Sequence, residues 1–498
     1  MSQAKETANP IIHWFRKDLR LLDNPALAEA GKSARPVVPV YILEDADSDP
    51  WPPGGASRWW LHNSLLALNR SLEARGNRLI LRRGQPKEIL QNLVTETGAT
   101  TVHVTRLTEP HAIEVESEVR TVLNNLGAKL KVFDGNLLFP PESVRTKNGE
   151  PYKVFTLFYK TCLKKLPPPV PLSAPKQLPR MKQPIRSDSL KEWKLLPQGP
   201  DWSTDWLDMW TPGEQGAFLR LDSFLEQSAT GYGSKRDRLD IAGTSKLSPH
   251  FHLGEISPRT CWHRSLASVK PESQDDLKSF FRQIVWREFS HHLLYHWPTF
   301  PEKPFRPEFE RFPWARNEEA LRLWQQGLTG YPIVDAGMRE LWATGWMHNR
   351  VRMIAASFLV KHLLIPWQDG AAWFWDTLVD ADLANNSVSW QWVAGCGVDA
   401  APFFRIFNPI LQGQKFDPDG GYVRRWVPEL ASLPNKYIHQ PWTAPEHVLE
   451  DSGIFLENSY PLPIVNHVAA RNRALNIFNQ FRQFPFHNSI LFAAKVRI

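Results

Sequence analysis

Between residues 11 and 135, short apolar runs alternate with amphipathic helical stretches; after residue 211 the short runs stop and helical spacing continues almost without break. The apolar runs are Ile11–Phe15, Val37–Leu43, Arg78–Leu81, Thr101–Thr105 and Leu130–Phe133. Between them lie helical patterns at Ser57–Arg75, Pro86–Thr97 and His111–Asn125, with Gly76, Gly98 and Gly127 as stop signals. Strands separated by helices pair in parallel through right-handed crossovers. The expectation is a doubly wound α/β domain with a parallel sheet over residues 1–135. No G-x-G-x-x-G follows the first strand, which argues against a dinucleotide bound in the usual Rossmann manner there.

Twelve prolines fall between Pro140 and Pro200. Proline lacks the amide proton and resists helix interiors and central strands. Residues 136–210 therefore read as a connector wrapped over the surface, with one helix near Val154–Lys164. Beyond it, Glu214–Gln227, Ser257–Ser268, Asp275–Tyr295, Asn317–Gln326, Ile333–Thr344 and Met347–His362 space their apolar residues three to four apart. Residues 211–498 are expected to form a large all-helical domain.

Composition narrows the function classes. Lys and Arg number 59 against 52 Asp and Glu, a net charge of +7, which permits a polyanionic partner without requiring one. Three cysteines, Cys162, Cys261 and Cys396, form no CxxC, which argues against a disulfide scaffold or the usual zinc and iron–sulfur spacings. No apolar run reaches membrane-spanning length, and MSQAKETANP has no leader-like core. A soluble, cytoplasmic protein is expected. Tryptophan is abundant at 22 residues, 18 of them after residue 190, more than a core needs.

Three segments carry chemistry. Thr244-Ser245-Lys246-Leu247-Ser248 brings three hydroxyls and an ammonium to a helix start, which suits a pyrophosphate, although on its own the segment reads first as an ordinary cap. Gly345 to Met353 interleaves Asn349, Arg350 and Arg352 with Trp346 and Met353, and helical spacing puts Asn349 and Met353 on one face. Asp380-Ala381-Asp382 and Asn385-Asn386, leading to Trp390-Gln391-Trp392, are polar groups in an apolar helical context. Such groups must be satisfied by partners, by a salt bridge such as Asp380 to Arg352, or by a bound polar heterocycle.

These segments, with Trp14-Phe15-Arg16-Lys17-Asp18-Leu19-Arg20, Gly330-Tyr331-Pro332 and Arg405-Ile406-Phe407-Asn408-Pro409, resemble the DNA photolyase/cryptochrome family over nearly the whole chain. Trp390 to Gly395 is most similar to microbial enzymes that repair cyclobutane pyrimidine dimers, the class III group close to plant cryptochromes in particular. The resemblance implies FAD in the helical domain. Tyr232 and Thr244, Ser245, Lys246, Leu247 and Ser248 would hold its phosphate and ribitol part. Trp286, Asn349, Arg352, Asp380, Ala381, Asp382 and Asn386 would surround the flavin and adenine, with Asn386 facing the flavin N5. It also implies damaged DNA as the partner. Gln283, Trp286, Asn349, Met353 and Trp392 would line a pocket for the flipped dimer, and Arg236, Arg350 and Lys415 would grip flanking phosphates.

Repair in this family passes an electron from excited, reduced FAD to the dimer and back, so the protein supplies position and electrostatics. A chain of Trp390, Trp367 and Trp314 would refill the flavin with electrons; Trp367 and Trp314, each following a proline, are expected on connectors near the exterior. Position 283 departs from the better-known dimer-repairing enzymes, which carry Glu there. Asn349 and Met353 stand where enzymes for (6–4) lesions carry histidines, which disfavours that substrate. Glu109 matches a position near the antenna pocket; the antenna itself would be methenyltetrahydrofolate or, alternatively, a deazaflavin. His291, His292 and His296, at helical spacing, read as core or surface histidines rather than a metal site. The competing class is a cryptochrome-type photoreceptor without repair, whose members often extend well past the flavin domain; here the family-like part ends near Arg473. A monomer is expected.

Overall fold

The computed structural model describes residues 9–33, 35–268 and 274–483. Residues 1–8, within the segment read for a leader, and the last residues of the chain lie outside them. The chain divides into two compact units. One comprises residues 1–232, 245–298 and 379–384; the other comprises 233–244, 299–378 and 385–498.

The first unit holds five strands: β1 (Ile11–Phe15), β2 (Val37–Leu43), β3 (Ile80–Arg83), β4 (Thr101–Thr105) and β5 (Lys129–Phe133). They form one parallel sheet in the order β3-β2-β1-β4-β5, with Ile12 opposite Val38 and Val102. The doubly wound expectation holds. Its helices are α1 (Pro25–Lys32), α2 (Gly55–Glu73), α3 (Pro86–Thr97), α4 (Pro110–Asn125), α5 (Phe155–Leu163), α6 (Glu214–Gln227), α7 (Ser248–His252), α8 (Pro258–Ser268) and α9 (Gln274–His296). Strand side chains alternate between faces. Ile12, Trp14, Val38, Val40, Val102 and Val104 share a core with Leu90 and Leu93 of α3 and Val115, Val119 and Leu123 of α4. The other face carries His103, whose Nδ1 lies 3.0 Å from the Ala26 carbonyl of α1.

The third apolar run begins two residues later than its sequence pattern. Asn77 and Arg78 serve the proline-rich connector instead: Asn77 donates to the Leu178 carbonyl and Arg78 to that of Ile185. The connector continues along the edge strand, where Ser187 Oγ accepts from the Leu81 amide and the Asp188 amide donates to the Leu81 carbonyl. An edge strand covered in this way is protected from pairing with other chains.

The second unit is helical, as its spacing indicated: α10 (Glu318–Gln326), α11 (Pro332–Thr344), α12 (Asn349–Ser357), α13 (Trp367–Thr377), α14 (Leu383–Ala394, entering from the first unit), α15 (Pro409–Phe416) and α16 (His467–Gln483). The helix expected over Met347–His362 changes character at Phe358, where the last turn widens to a π-helix through His362 and buries Lys361. Among the described residues, no helix is long and apolar enough to cross a membrane.

A candidate cofactor and nucleic-acid site

The first unit contains a recess of about 480 Å³, part of it open to solvent, lined by Lys17, Glu109, Phe251, His252, Arg287, His291 and Asp382 among others. Several distant segments build it. Lys17 follows β1 in a turn held by buried neighbours: the Arg16 amide donates to Asp18, Arg20 donates to the carbonyls of Asp23, Gly135 and Gly254, and Asn136 donates to the Lys17 carbonyl. This is the physical content of the Arg16-Lys17-Asp18-Leu19-Arg20 motif. Glu109 stands at the N-terminal boundary of α4, a few residues past β4, with its side chain free of any capping bond to the helix. Asp382 immediately precedes α14, and Arg287 and His291 lie one turn apart on α9.

Inside the recess Lys17 Nζ sits 2.6 Å from Glu109 Oε1, and His291 Nε2 sits 3.4 Å from Asp382 Oδ2. His291 Nδ1 lies 2.7 Å from the Thr108 hydroxyl. Burial would raise both carboxyl groups, but their surroundings outweigh it: Glu109 is pulled down to about 2, chiefly by Lys17, and Asp382 falls below the usual carboxylate range through His291, which acts only in its protonated form, and through the standing cations Arg287 and Lys17. Burial pushes His291 and His252 down to about 4, so both are neutral at physiological pH. Two carboxylates thus face two cations beside two neutral imidazoles. The buried Nδ1 of His252 has no hydrogen-bond partner among the described residues, an orphan that a bound polar group would satisfy. His291, read as a core or surface histidine from the sequence, is a wall of this site. Lys17 and His252 carried no local signal; only the position of Lys17 inside the family-like turn could have drawn attention to it.

Other sequence candidates lie elsewhere in the first unit. Trp286, half-buried on α9, stacks on Phe155 of α5 with ring centroids 3.4 Å apart and an angle of 6°. Gln283 donates to the Ser279 carbonyl one turn back. Glu288, pushed up to about 7 by burial, accepts from the Leu138 and Phe139 amides and fixes the segment that lines the recess. Tyr232 is buried edge-on against Phe224 and Phe280. Ser245 to Leu247 lead into α7, which has only five residues. So short a helix weakens the dipole argument for an anion, leaving the hydroxyls, the amides and Lys246 as its basis. Asp380 and Ala381 are buried beside Asp382.

The second unit gathers a separate set. The His348 side chain accepts from the Arg350 amide and caps α12, and its other ring nitrogen lies 2.9 Å from the Arg236 carbonyl. Arg350 is ion-paired to Asp237 at 2.7 Å, and Arg236 approaches the same carboxylate at 3.7 Å. The Arg350 guanidinium lies 4.4 Å from the centre of the Phe416 ring, which Lys415 also approaches at 5.3 Å. Arg236, Arg350 and Lys415 are therefore brought together, with Asp237 offsetting part of their charge. Asn349 Nδ2 points at Met353 Sδ, 3.9 Å away, in keeping with a shared helix face. Arg352 donates to the Met347 carbonyl.

On α14, Asn386 donates to the Ala371 carbonyl and Trp390 follows one turn later. Trp390 is buried against Phe374, 5.0 Å away and edge-on, with Gly370 beneath it: a Cβ at Gly370 would collide with the indole and with Leu359. Gln391 locks the helix to the loop at residues 300–305 through Phe305, Phe300 and Lys303. Trp392 and Trp314 are half-buried. Trp367 is not near the exterior as expected; it opens α13 and is 2% exposed, because the proline before it starts a helix rather than a surface loop. Among the described residues, Trp390, Trp367 and Trp314 make no direct ring contact with one another.

Residues 11–176 match the DNA photolyase family model, and residues 280–480 match the FAD-binding domain of DNA photolyase. A deoxyribodipyrimidine photo-lyase of Agrobacterium fabrum is 50% identical over 94% of this chain and 97% of its own. The chain belongs to the photolyase/cryptochrome family. Cryptochrome-1 of Arabidopsis thaliana is 38% identical over 95% of this chain and 70% of its own. Among solved structures, a bacterial class III photolyase from Agrobacterium tumefaciens superposes with a TM-score of 0.93 at 48% identity, covering 97% of this chain and all of that one. The family is one of FAD-binding flavoproteins and its photo-lyase members are carbon–carbon lyases, in agreement with the expected fold and enzyme class.

Proposed function

We propose that this protein repairs cyclobutane pyrimidine dimers in DNA under blue light, using FAD. When bound, reduced FAD supplies on illumination the electron that opens the dimer and takes it back. The residues of the chain do the rest. Tyr232, Thr244 to Ser248, Trp286, Asn349, Arg352, Asp380 to Asp382 and Asn386 hold and orient the cofactor. A neutral amide at Asn386 tolerates negative charge on the reduced ring, where an ionised carboxylate would oppose it. The paired charges around Asp382 and the orphaned Nδ1 of His252 suit a polar heterocycle. Gln283, Trp286, Asn349, Met353 and Trp392 receive the flipped lesion, and Arg236, Arg350 and Lys415 hold its phosphates. Trp390, Trp367 and Trp314 carry electrons inward. We assign antenna binding to residues 1–135, with methenyltetrahydrofolate near Glu109, and flavin and lesion binding to 211–498, with 136–210 as connector.

The observation that carries the substrate is the Asn349–Met353 pair on one face of α12, an amide and a thioether where a (6–4) enzyme needs ionisable histidines. The test has two parts. The purified protein should show a flavin absorption spectrum, and in the dark it should bind a duplex with a thymine dimer more tightly than one with a (6–4) product. Preference for the (6–4) duplex would refute the assignment; no preference for damage would favour a photoreceptor. One variant isolates the electron route: Trp367→Phe should repair when reduced chemically beforehand yet photoreduce far more slowly, since Phe keeps the volume but is much harder to oxidise.

A further inference from the structure

One cation of the first unit has no role in the assignments above. Arg282 is exposed on α9, one helical turn before Trp286 and next to Gln283. Its guanidinium lies 5.5 Å from the centre of the Phe155 ring and 5.6 Å from that of Tyr159. Those rings are near-parallel, 5.7 Å apart at 19°, and Phe155 in turn stacks on Trp286. Trp286, Phe155 and Tyr159 thus form a short aromatic ladder, with Arg282 over Phe155 and Tyr159. Among the described residues, Arg282 makes no hydrogen bond and no ion pair. Lys278, a further turn back on α9, is by contrast paired with Asp275 at 2.7 Å. Lys160 and Lys164, on and just after α5, are exposed and, among the described residues, also without an ion pair.

An arginine laid on aromatic rings has lost side-chain freedom without using any of its five N–H donors. That is the state in which a guanidinium binds a phosphate at least entropic cost. Cations interleaved with aromatic rings are the pattern of single-stranded nucleic-acid surfaces, where the strand follows the charges. One helical turn spans about 5–6 Å, and phosphates of one strand are spaced about 3.4 Å along a duplex axis. A cation one turn from Trp286 therefore reaches a phosphate within about two nucleotides of a base held there.

We propose that Arg282, oriented by Phe155 and Tyr159, grips the DNA backbone phosphate within about two nucleotides of the lesion, on the side of α5. The proposal rests on the reading that Trp286 and Gln283 face the damaged base. Tyr159 is a positioning residue in it, and Arg282 touches the substrate.

The experiment measures affinity for thymine-dimer and undamaged duplexes against salt, using the full chain with its flavin. The variants are Arg282→Ala, Arg282→Lys and Tyr159→Leu, with Lys129→Ala as the exposed-cation control on β5. Arg282→Ala should weaken binding about tenfold at about 50 mM salt, the size of one charge-assisted hydrogen bond. It should also lower the slope of log affinity against log salt by about 0.9, the value for one phosphate contact. Arg282→Lys should keep the slope and lose part of the affinity, because an ammonium keeps the charge but not the stacked fork. Tyr159→Leu should lose affinity at an unchanged slope. Lys129→Ala should match wild type in both. If Arg282→Ala keeps wild-type affinity and slope with a normal flavin spectrum, the proposal is wrong. If wild type binds both duplexes equally, the lesion reading fails instead, and the slope on either duplex still reports on Arg282.

Discussion

Replacing Lys17 by Met tests whether the charges in the recess are arranged as described. Lys17 is the cation nearest Glu109, at 2.6 Å, and contributes to holding Asp382 ionised. The depression of Glu109 from 4.5 to about 2 corresponds to roughly 3 kcal/mol at about 1.4 kcal/mol per pH unit. Lys17 keeps 27% of its side-chain exposure, so part of that is screened. Lys17→Met should therefore cost about 2–3 kcal/mol at neutral pH, since a buried carboxylate is left without its cation. The pH dependence separates charge from packing. A carboxyl whose folded pKa is depressed adds stability above its unfolded value of 4.5, and that stability is lost as pH falls through about 2. Without Lys17, burial raises the Glu109 carboxyl, so the gap between wild type and variant in urea denaturation should narrow steadily as pH falls from neutrality toward pH 3. Lys17→Met/Glu109→Gln should recover most of the loss, because the orphaned charge is gone. A gap that does not change with pH, or a double variant no better than the single one, would refute this account.

Three further expectations follow from individual contacts. Gly370→Ala should displace the Trp390 indole, seen as a lower melting temperature and slower flavin photoreduction, because a Cβ there meets the ring directly. Lys361 is pushed down to about 7 by burial and donates to the Arg405 carbonyl; the unfolded chain then binds the extra proton between about pH 7 and 10.5, so stability should rise across that window, and Lys361→Met should flatten the rise and raise stability at pH 7. Asp237→Asn should tighten DNA binding by freeing Arg350 from its 2.7 Å ion pair, whereas Arg350→Ala should weaken it, both read from salt-dependent affinity.

The strands were legible because each is a short apolar run between turn signals, and β1, β2 and β4 begin and end where the runs do. β3 slipped because the connector claims Asn77 and Arg78, a contact about 100 residues away in sequence that no local window carries. The connector itself was readable from its prolines, but not the pairing of its Ser187 and Asp188 with the edge strand. At the site, Asp382 was legible because it sits in a dense polar–aromatic motif. Lys17, His252 and His291 were not, since each is unremarkable in its own segment and gains meaning only where the turn after β1, α7 and α9 supply one recess. The burial of Trp367 and the Asp237 partner of Arg350 were hidden for the same reason: both depend on tertiary contacts rather than on spacing.

The reaction proposed for this protein is light-dependent repair of a cyclobutane dimer. Its most direct measurement is the return of intact thymines in a dimer-containing oligonucleotide, with the flavin chemically reduced, under blue light and in the dark. Repair is expected under light, with none in the dark and none of the (6–4) product. Tight binding of the dimer without any light-driven return of thymines would contradict it.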